Sequence, residues 1–269
     1  ESMDRSGMGI ATLASAPGAR AAIPPLRDPP LLTMADMGMS GMDHGSSGDA
    51  GMSGMDHGSG GDMAGMDHGT SGQSEMAGMS GMQMRDTSLL PPDVKVGPGL
   101  DMVSMNPVDR MGDPGIGLAD VPHRTLDYRK LRALTPHREG RTPSRRMEIH
   151  LTGNMERYMW SFDGKKFSAV SDEPIRFAYN ERVRVKLVND TMMAHPIHLH
   201  GHFFELVNGA PADRQPLKHT VILQPGGSAQ FDLTADEPGD WAFHCHLLYH
   251  MHAGMFQIVT VANPDGSEA

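Results

Sequence analysis

The chain has 269 residues, a formal net charge of −10 and one cysteine. Its 8 Phe, 4 Tyr and 2 Trp all lie at or after Tyr128, so the N-terminal half lacks the large side chains that build a core. One cysteine excludes an intrachain disulfide, and the acidic charge without a basic patch argues against a nucleic-acid partner. No uncharged apolar run reaches the length of a membrane span.

The first 33 residues are too poor in large apolar side chains to form a unit of their own. Residues 1–14 predict the end of a strand with a turn, which we interpret as the tail of a preceding domain. Residues 15–33 are rich in Ala and Pro and predict an extended linker. Because the chain starts at Glu1 without a Met or a visible signal peptide, we expect a fragment whose export signal lies upstream.

A low-complexity tract follows at residues 34–84. It holds 12 of the 24 methionines and three copies of GMDHG at irregular spacing, so we predict a disordered segment. Thioethers prefer Cu(I), and Asp and His can hold Cu(II), so the tract predicts copper capture, with a simple flexible linker as the alternative. The candidate ligands are Met52, Met55, Met76, Met79, Met82, His44, His57 and His68.

The rest of the chain divides near residue 140. Residues 85–140 carry the turn signals LLPPD, VGPG and GDPGIG and predict an irregular arm that packs on something else, with one short helix near 126–134. Beyond it, nine runs with β-branched or aromatic residues alternate with turns: MEIHLTG, YMWSF, PIRFAY, RVRVKLVND, FFELV, HTVILQPGG, SAQFDLT, GDWAFHCH and MFQIVTV. Their spacing predicts an all-β antiparallel sandwich or barrel over residues 141–269.

Two histidine-rich motifs, HPIHLHGH and HCHLLYHMHAGM, lie within this β domain. Side chains alternate between the faces of a strand, so His244 and His246 project to one face and Cys245 to the other. By the same parity, His198 and His200 share a face. Imidazole and thiolate together suit copper or zinc, so the motifs predict a metal site on each face.

The face of Cys245 carries a distinctive ligand set. His195 has the opposite parity to His198, and His250 and Met255 follow Cys245 in a loop and in the next strand. One Cys, two His and a weakly bound Met form the ligand set of a blue copper electron-transfer centre. Zinc binding does not require this combination of ligands, so the set favours copper. Met255 could instead be an ordinary core residue.

The two motifs resemble the third and fourth copper motifs of the multicopper oxidases. The sequence NDTMMAHPIHLHG and the Met-rich GMDHG insert are similar to the periplasmic copper-resistance oxidases of the CopA type, and the resemblance covers nearly the whole chain. It implies a C-terminal cupredoxin domain, a Greek-key β-sandwich, at 141–269, and the end of an earlier cupredoxin domain at 1–14. It also implies a periplasmic location.

The resemblance assigns a role to each ligand. The implied ligands are His195, Cys245, His250 and axial Met255 for the type 1 copper, His198 for the type 2 copper, and His200, His244 and His246 for the type 3 pair. Electrons from Cu(I) or a phenol would pass from Cys245 through His244 and His246 to the trinuclear cluster, where O2 is reduced to water. The remaining histidines His150, His202, His219 and His252 are expected beside the ligands or on the surface.

The chain also departs from the family in one respect. The family supplies two further HxH motifs from its first domain, and residues 1–140 contain none, so half of the trinuclear ligands are absent. We therefore expect an oxidase only together with upstream cupredoxin domains. The alternative is a non-enzymatic copper-binding cupredoxin whose Met-rich arm scavenges copper. Tyr249 and Met251, which flank His250, could serve packing or a substrate surface, and the sequence does not choose.

Overall fold

A computed structural model describes residues 2, 5–33, 36–37, 87–104, 106–122, 124–265 and 267. Two β-sheets pack face to face, as the sequence predicts. The strands are β1 (Val108–Asp109), β2 (Arg145–Asn154), β3 (Met159–Phe162), β4 (Ile175–Phe177), β5 (Arg182–Asn189), β6 (His195–Leu199), β7 (Phe204–Leu206), β8 (Leu217–Lys218), β9 (Thr220–Leu223), β10 (Gly227–Thr234), β11 (Gly239–Cys245) and β12 (Phe256–Val261), and the one α-helix among these residues is α1 (Leu248–His252).

The first sheet has the order β3-β2-β5-β10-β7-β8, with β1 also paired to β10, and the second has the order β4-β12-β11-β6-β9. Each of the nine predicted runs contains a strand. Most strand pairs are antiparallel, as expected, but β1 and β10, β2 and β5, and β4 and β12 pair in parallel. Parallel neighbours need long connections, which sequence spacing alone does not reveal.

The core lies between the sheets. Strand β5 shows why: Val183, Val185 and Leu187 are buried on its inner face, while Arg184 and Lys186 alternate with them on the outer face. Across the two sheets, the rings of Phe162 and Phe243 stack at 5.0 Å between centroids. This packing fixes the spacing between β3 of the first sheet and β11 of the second, and both strands border the histidine motifs.

The described part of the arm at residues 87–140 packs on the sandwich. Val94, Val103 and Met111 are buried, and the backbone of β1 pairs with Gly227 and Ser228 of β10. The helix expected near 126–134 is wrong: only the 3-10 turn Tyr128–Lys130 forms.

The sandwich competes for the backbone groups that this helix would need. The Asn208 amide donates to the carbonyls of Tyr128 and Leu131, and the Ala133 N–H donates to Arg214.

The N-terminal segment forms no strand in its described part. Residues 2 and 5–14 contain a turn in which Ser2 and Gly7 exchange hydrogen bonds, and their assignment to the end of a preceding domain stays a prediction. The Met-rich tract at 34–84 lies outside the described residues, except for positions 36–37. Among the described residues, no helix has the length and apolar character to cross a membrane.

Asp163, in the turn after β3, makes the fold sensitive to pH. Burial raises the pKa of its carboxyl from 3.8 to about 6, although its oxygen accepts the His150 N–H at 2.7 Å. Because the folded pKa is the higher one, the stability that the protonated form gives is complete below about pH 4 and is lost as the pH rises through 6.

We expect Asp163→Asn to stabilise the metal-free chain above pH 6. Asn keeps the carbonyl acceptor, tolerates the positive φ of 51° and carries no charge. Allowing for solvent around this partly exposed side chain, the expected gain is about 1–2 kcal/mol. Urea unfolding at pH 4 and pH 7.5 measures it, with the exposed Asp172→Asn as the control; an equal effect of Asp163→Asn at both pH values would contradict the argument.

Candidate metal centre

Strands β6 and β11 are antiparallel neighbours and carry the two histidine motifs. Their register places His244 opposite His198 and Cys245 opposite Ile197. Because directly opposed residues share a face, the odd and even positions of the two strands separate into an inner and an outer set. The inner set is buried except at the start of β11, where Gly239 and Trp241 are partly buried, and the outer set is partly or fully exposed except for His244, which is buried. The parity predicted from the sequence is therefore present.

Cys245 and His195, both in the inner set, lie close to His250. The Cys245 Sγ lies 3.6 Å from His195 Nδ1 and 3.8 Å from His250 Nδ1, and the two nitrogens are 3.1 Å apart. A point equidistant from the three atoms lies about 2.0 Å from each, close to the ~2.0–2.3 Å bonds that zinc forms with imidazole nitrogen and thiolate sulfur. The three residues therefore fit a single transition-metal ion.

His250 reaches this group from α1 and not from a loop as the sequence suggested. The helix has five residues, and His250 is the one that it buries. Its carbonyl accepts the Met255 N–H at 3.0 Å, and the Met255 carbonyl accepts the Cys245 N–H at 3.1 Å. These bonds close the ligand segment into a compact turn. Met255 is fully buried in the same core cluster, which fits both an axial ligand and a core residue, so its role stays a prediction.

Burial favours the uncharged forms of the inner ligands. Burial, with a smaller effect of the neighbouring His250, lowers the pKa of His195 to about 3. Burial also raises the pKa of the Cys245 thiol to about 11. Both imidazoles are thus free to act as ligands near neutral pH, and a metal ion must displace the thiol proton when it binds. The soft anionic sulfur with two imidazoles favours copper over harder ions.

The outer set gathers His198, His200 and His244. Their ligating nitrogens all lie within 4.8 Å of one another, and the Nε2 atoms of His200 and His244 are 3.1 Å apart. The His219 carbonyl lies 2.7 Å from His198 Nδ1 and accepts its proton, which leaves Nε2 free as a ligand atom. The group is a second candidate metal site on the reverse of the same two strands.

His246 stands somewhat apart from this group. Its side chain is exposed, and its ring centroid lies 5.6 Å from that of His198 and 5.8 Å from that of His244. The predicted role of His246 in the type 3 pair stays a prediction. An exposed patch of imidazoles at a domain surface leaves metal positions open to ligands from another chain or domain.

The other described histidines fall outside both groups of potential ligands. His150 is buried and bonds Asp190 at 2.6 Å and Glu148 at 3.0 Å, and His202 is buried beside Trp241. His219 and His252 are exposed. Of the two residues beside His250 that the sequence left open, Tyr249 is 80% exposed and Met251 is partly buried, so Tyr249 does not serve core packing.

Sequence reasoning missed the residues that support the inner site. The Thr191 hydroxyl lies 2.7 Å from His195 Nε2 and donates to the Asn189 side chain at 2.9 Å. The bond between Thr191 and Nε2 leaves Nδ1 of His195 as the ligand atom. The ring of Trp160, on β3, stacks on His250 with 4.1 Å between centroids. The position of Thr191, four residues before His195, could have suggested this contact from the sequence. Trp160 is distant from both motifs in the sequence, so its contact with His250 could not have been predicted.

Comparison with known proteins agrees with the geometry. Residues 140–265 match the family described as multicopper oxidase, and the chain belongs to this family.

The curated relatives it matches include proteins named for copper resistance. The chain is 47% identical over 266 residues to a copper resistance protein A homologue of Pseudomonas syringae pv. tomato, covering 97% of this chain and 43% of that protein. It is 45% identical over 278 residues to copper resistance protein A of Escherichia coli, covering 97% of this chain and 45% of that protein. The chain thus spans less than half the length of these relatives.

Proposed function

We propose that the chain is the C-terminal part of a periplasmic copper-resistance multicopper oxidase that oxidises Cu(I) or phenols and reduces O2 to water. The observation that carries the proposal is the grouping of one Cys and two His on the inner side, and of three His on the outer side, of two paired strands, with one of the inner His supplied by α1. Similarity to proteins named copper resistance protein A supports copper as the substrate. Copper bound at the two faces would supply one-electron oxidation and oxygen reduction, respectively.

On the inner face, His195, Cys245, His250 and Met255 would hold the type 1 copper. All four side chains are buried, so the packing around them fixes the ligand geometry. Cys245 is bonded through the backbone to His244 and His246, which lie on the other face. The backbone on either side of Cys245 therefore joins the two sites covalently, and we assign electron transfer to these bonds.

On the outer face, His198 would hold the type 2 copper, and His200, His244 and His246 the type 3 pair. These residues are half of the ligands that such a cluster needs, so upstream cupredoxin domains are the partner that the proposal requires. We assign residues 1–14 to the tail of such a domain, 15–33 to a linker, 34–84 to a copper-binding Met-rich tract, 85–140 to an arm and 141–269 to the C-terminal cupredoxin domain. The ligands proposed in the tract stay a prediction.

Oxygen uptake tests the proposal. We expect the copper-loaded chain alone to consume O2 with Cu(I) or a phenol no faster than a copper blank, because a half-built cluster cannot hold its metals. Adding the upstream cupredoxin domains as a separate chain should start turnover. The matched control is His200→Ala, which should keep the blue colour of the inner site and lose the uptake.

Three results would count against the oxidase. Turnover by the chain alone would show that the missing ligands are not needed. Equal turnover with His200→Ala would remove the outer face from the reaction. A blue complex with upstream domains that consumes no O2 would favour the non-enzymatic copper-binding cupredoxin.

A further inference from the structure

One aromatic side chain outside the ligand motifs touches both imidazoles of the inner site. Trp160 lies on β3 and is fully buried. Its ring stacks on His250 with 4.1 Å between centroids and 28° between planes, and it meets His195 edge-on at 5.1 Å and 63°. The indole therefore forms a wall on one side of the group that Cys245 completes.

The surrounding backbone is shaped around this ring. Gly153 of β2 is paired with Trp160, and a Cβ at Gly153 would lie 2.7 and 2.8 Å from two atoms of the indole. The absence of a side chain at this position lets the ring lie flat on the neighbouring strand. The backbone N–H of Trp160 donates to the Ala253 carbonyl at 3.4 Å, which ties β3 to the segment between His250 and Met255.

The ring is placed for its face and not for its polar atom. The indole Nε1–H is buried without a hydrogen-bond partner among the described residues, an arrangement that costs free energy in a core. A Phe or Leu would fill an ordinary core position without that cost. The favourable contact that this ring does make is with the two imidazoles.

The two imidazoles are held by different means. His195 is anchored through Nε2 by the Thr191 hydroxyl at 2.7 Å. The hydrogen bonds of the His250 ring in the structure run from Nδ1 to the other two members of the metal group, and His250 sits on a helix of only five residues. The stacked indole is a contact from outside the group that restricts rotation of this ring about its side-chain bonds.

We propose that Trp160 is a positioning residue of the inner copper site: it orients the His250 imidazole and keeps water from that side of the metal. The proposal rests on the type 1 assignment made under the proposed function. Trp160 donates no ligand atom. It acts by fixing the direction of the Nδ1 lone pair, so that the triangle of Cys245, His195 and His250 exists before the metal arrives.

Substitutions that separate the ring from its volume test the proposal. Trp160→Phe keeps an aromatic face, whereas Trp160→Leu and Trp160→Met remove it, and Met adapts to irregular space if Leu prevents folding. The control is Phe231→Leu, which removes a core ring that is stacked on Phe204 at 4.1 Å and is not part of the metal site. Each chain is titrated with Cu(II) against a competing chelator, and its visible spectrum and reduction potential are recorded.

We expect Trp160→Leu and Trp160→Met to bind Cu(II) about 10–100-fold more weakly, with a shifted charge-transfer band and potential. Trp160→Phe should stay close to the unaltered chain, and Phe231→Leu should unfold at a lower temperature with an unchanged spectrum. Unaltered affinity, band and potential in the two non-aromatic variants would overturn the proposal while leaving the type 1 site standing. Absence of a blue band in the unaltered chain would instead overturn the type 1 assignment and this inference with it.

Discussion

Replacing Cys245 with serine is expected to abolish the blue colour that the unaltered chain acquires with Cu(II). The colour of such centres comes from charge transfer between a thiolate and copper, and Cys245 is the only cysteine in the chain. A serine hydroxyl has nearly the same size, but it stays protonated near neutral pH and is a harder ligand. His195 and His250 would then hold copper, if at all, as a weakly absorbing site.

Visible absorption and electron paramagnetic resonance of the Cu(II)-loaded chains measure this effect. His252→Ala is the matched control, because His252 is exposed on α1 next to the site and belongs to neither metal group. It should keep the full band intensity. A band of normal intensity in Cys245→Ser would exclude the Cys245 sulfur as its origin.

A second large effect is expected from Gly254→Ala, between His250 and Met255. Gly254 has a φ of 125°, and an added Cβ would lie 2.6 Å from both the Trp160 carbonyl oxygen and the Lys166 Cβ. Backbone strain of about 1–3 kcal/mol and overpacking of about 1–3 kcal/mol add to an expected loss of about 2–6 kcal/mol in the free energy of unfolding. The added methyl group should also weaken Cu(II) binding, because the backbone has to shift to make room for it and this segment carries His250.

Urea unfolding and Cu(II) titration of the full chain measure the two consequences together. Gly140→Ala is the control, since nothing lies within 4 Å of a Cβ at this exposed position. Its unfolding free energy and copper affinity should match those of the unaltered chain. If Gly254→Ala behaved like Gly140→Ala in both measurements, the tight turn would not be what places His250.

Strand parity made much of the site predictable from sequence. In β11, alternation alone separates Cys245 from His244, and in β6 it separates His195 from His198, because the period of two is a local property of extended backbone. The nine strand runs were recognisable for the same reason. Only β1, β6 and β8 were not among them; β1 and β8 have two residues each, and β6 was read as a ligand motif.

The features that the sequence concealed depend on distant partners. The helix at His250 is too short to show a helical period, and it is tied to the following strand by the Met255 N–H, which donates to the His250 carbonyl. Trp160 meets His250 only because β3 and α1 converge in space, 90 positions apart in the chain. The arm failed to form its expected helix because Asn208 and Arg214, more than 75 positions downstream, take its backbone groups.

The register between β6 and β11 has a consequence for maturation. Each metal group draws ligands from this one pair of strands, with His244 opposite His198 and Cys245 opposite Ile197. A slip of one residue reverses the faces of a whole strand, so it would expose the thiol and bury imidazoles in the apolar core. The two centres would be lost in the same event. The register of this one strand pair therefore decides whether either metal group can assemble.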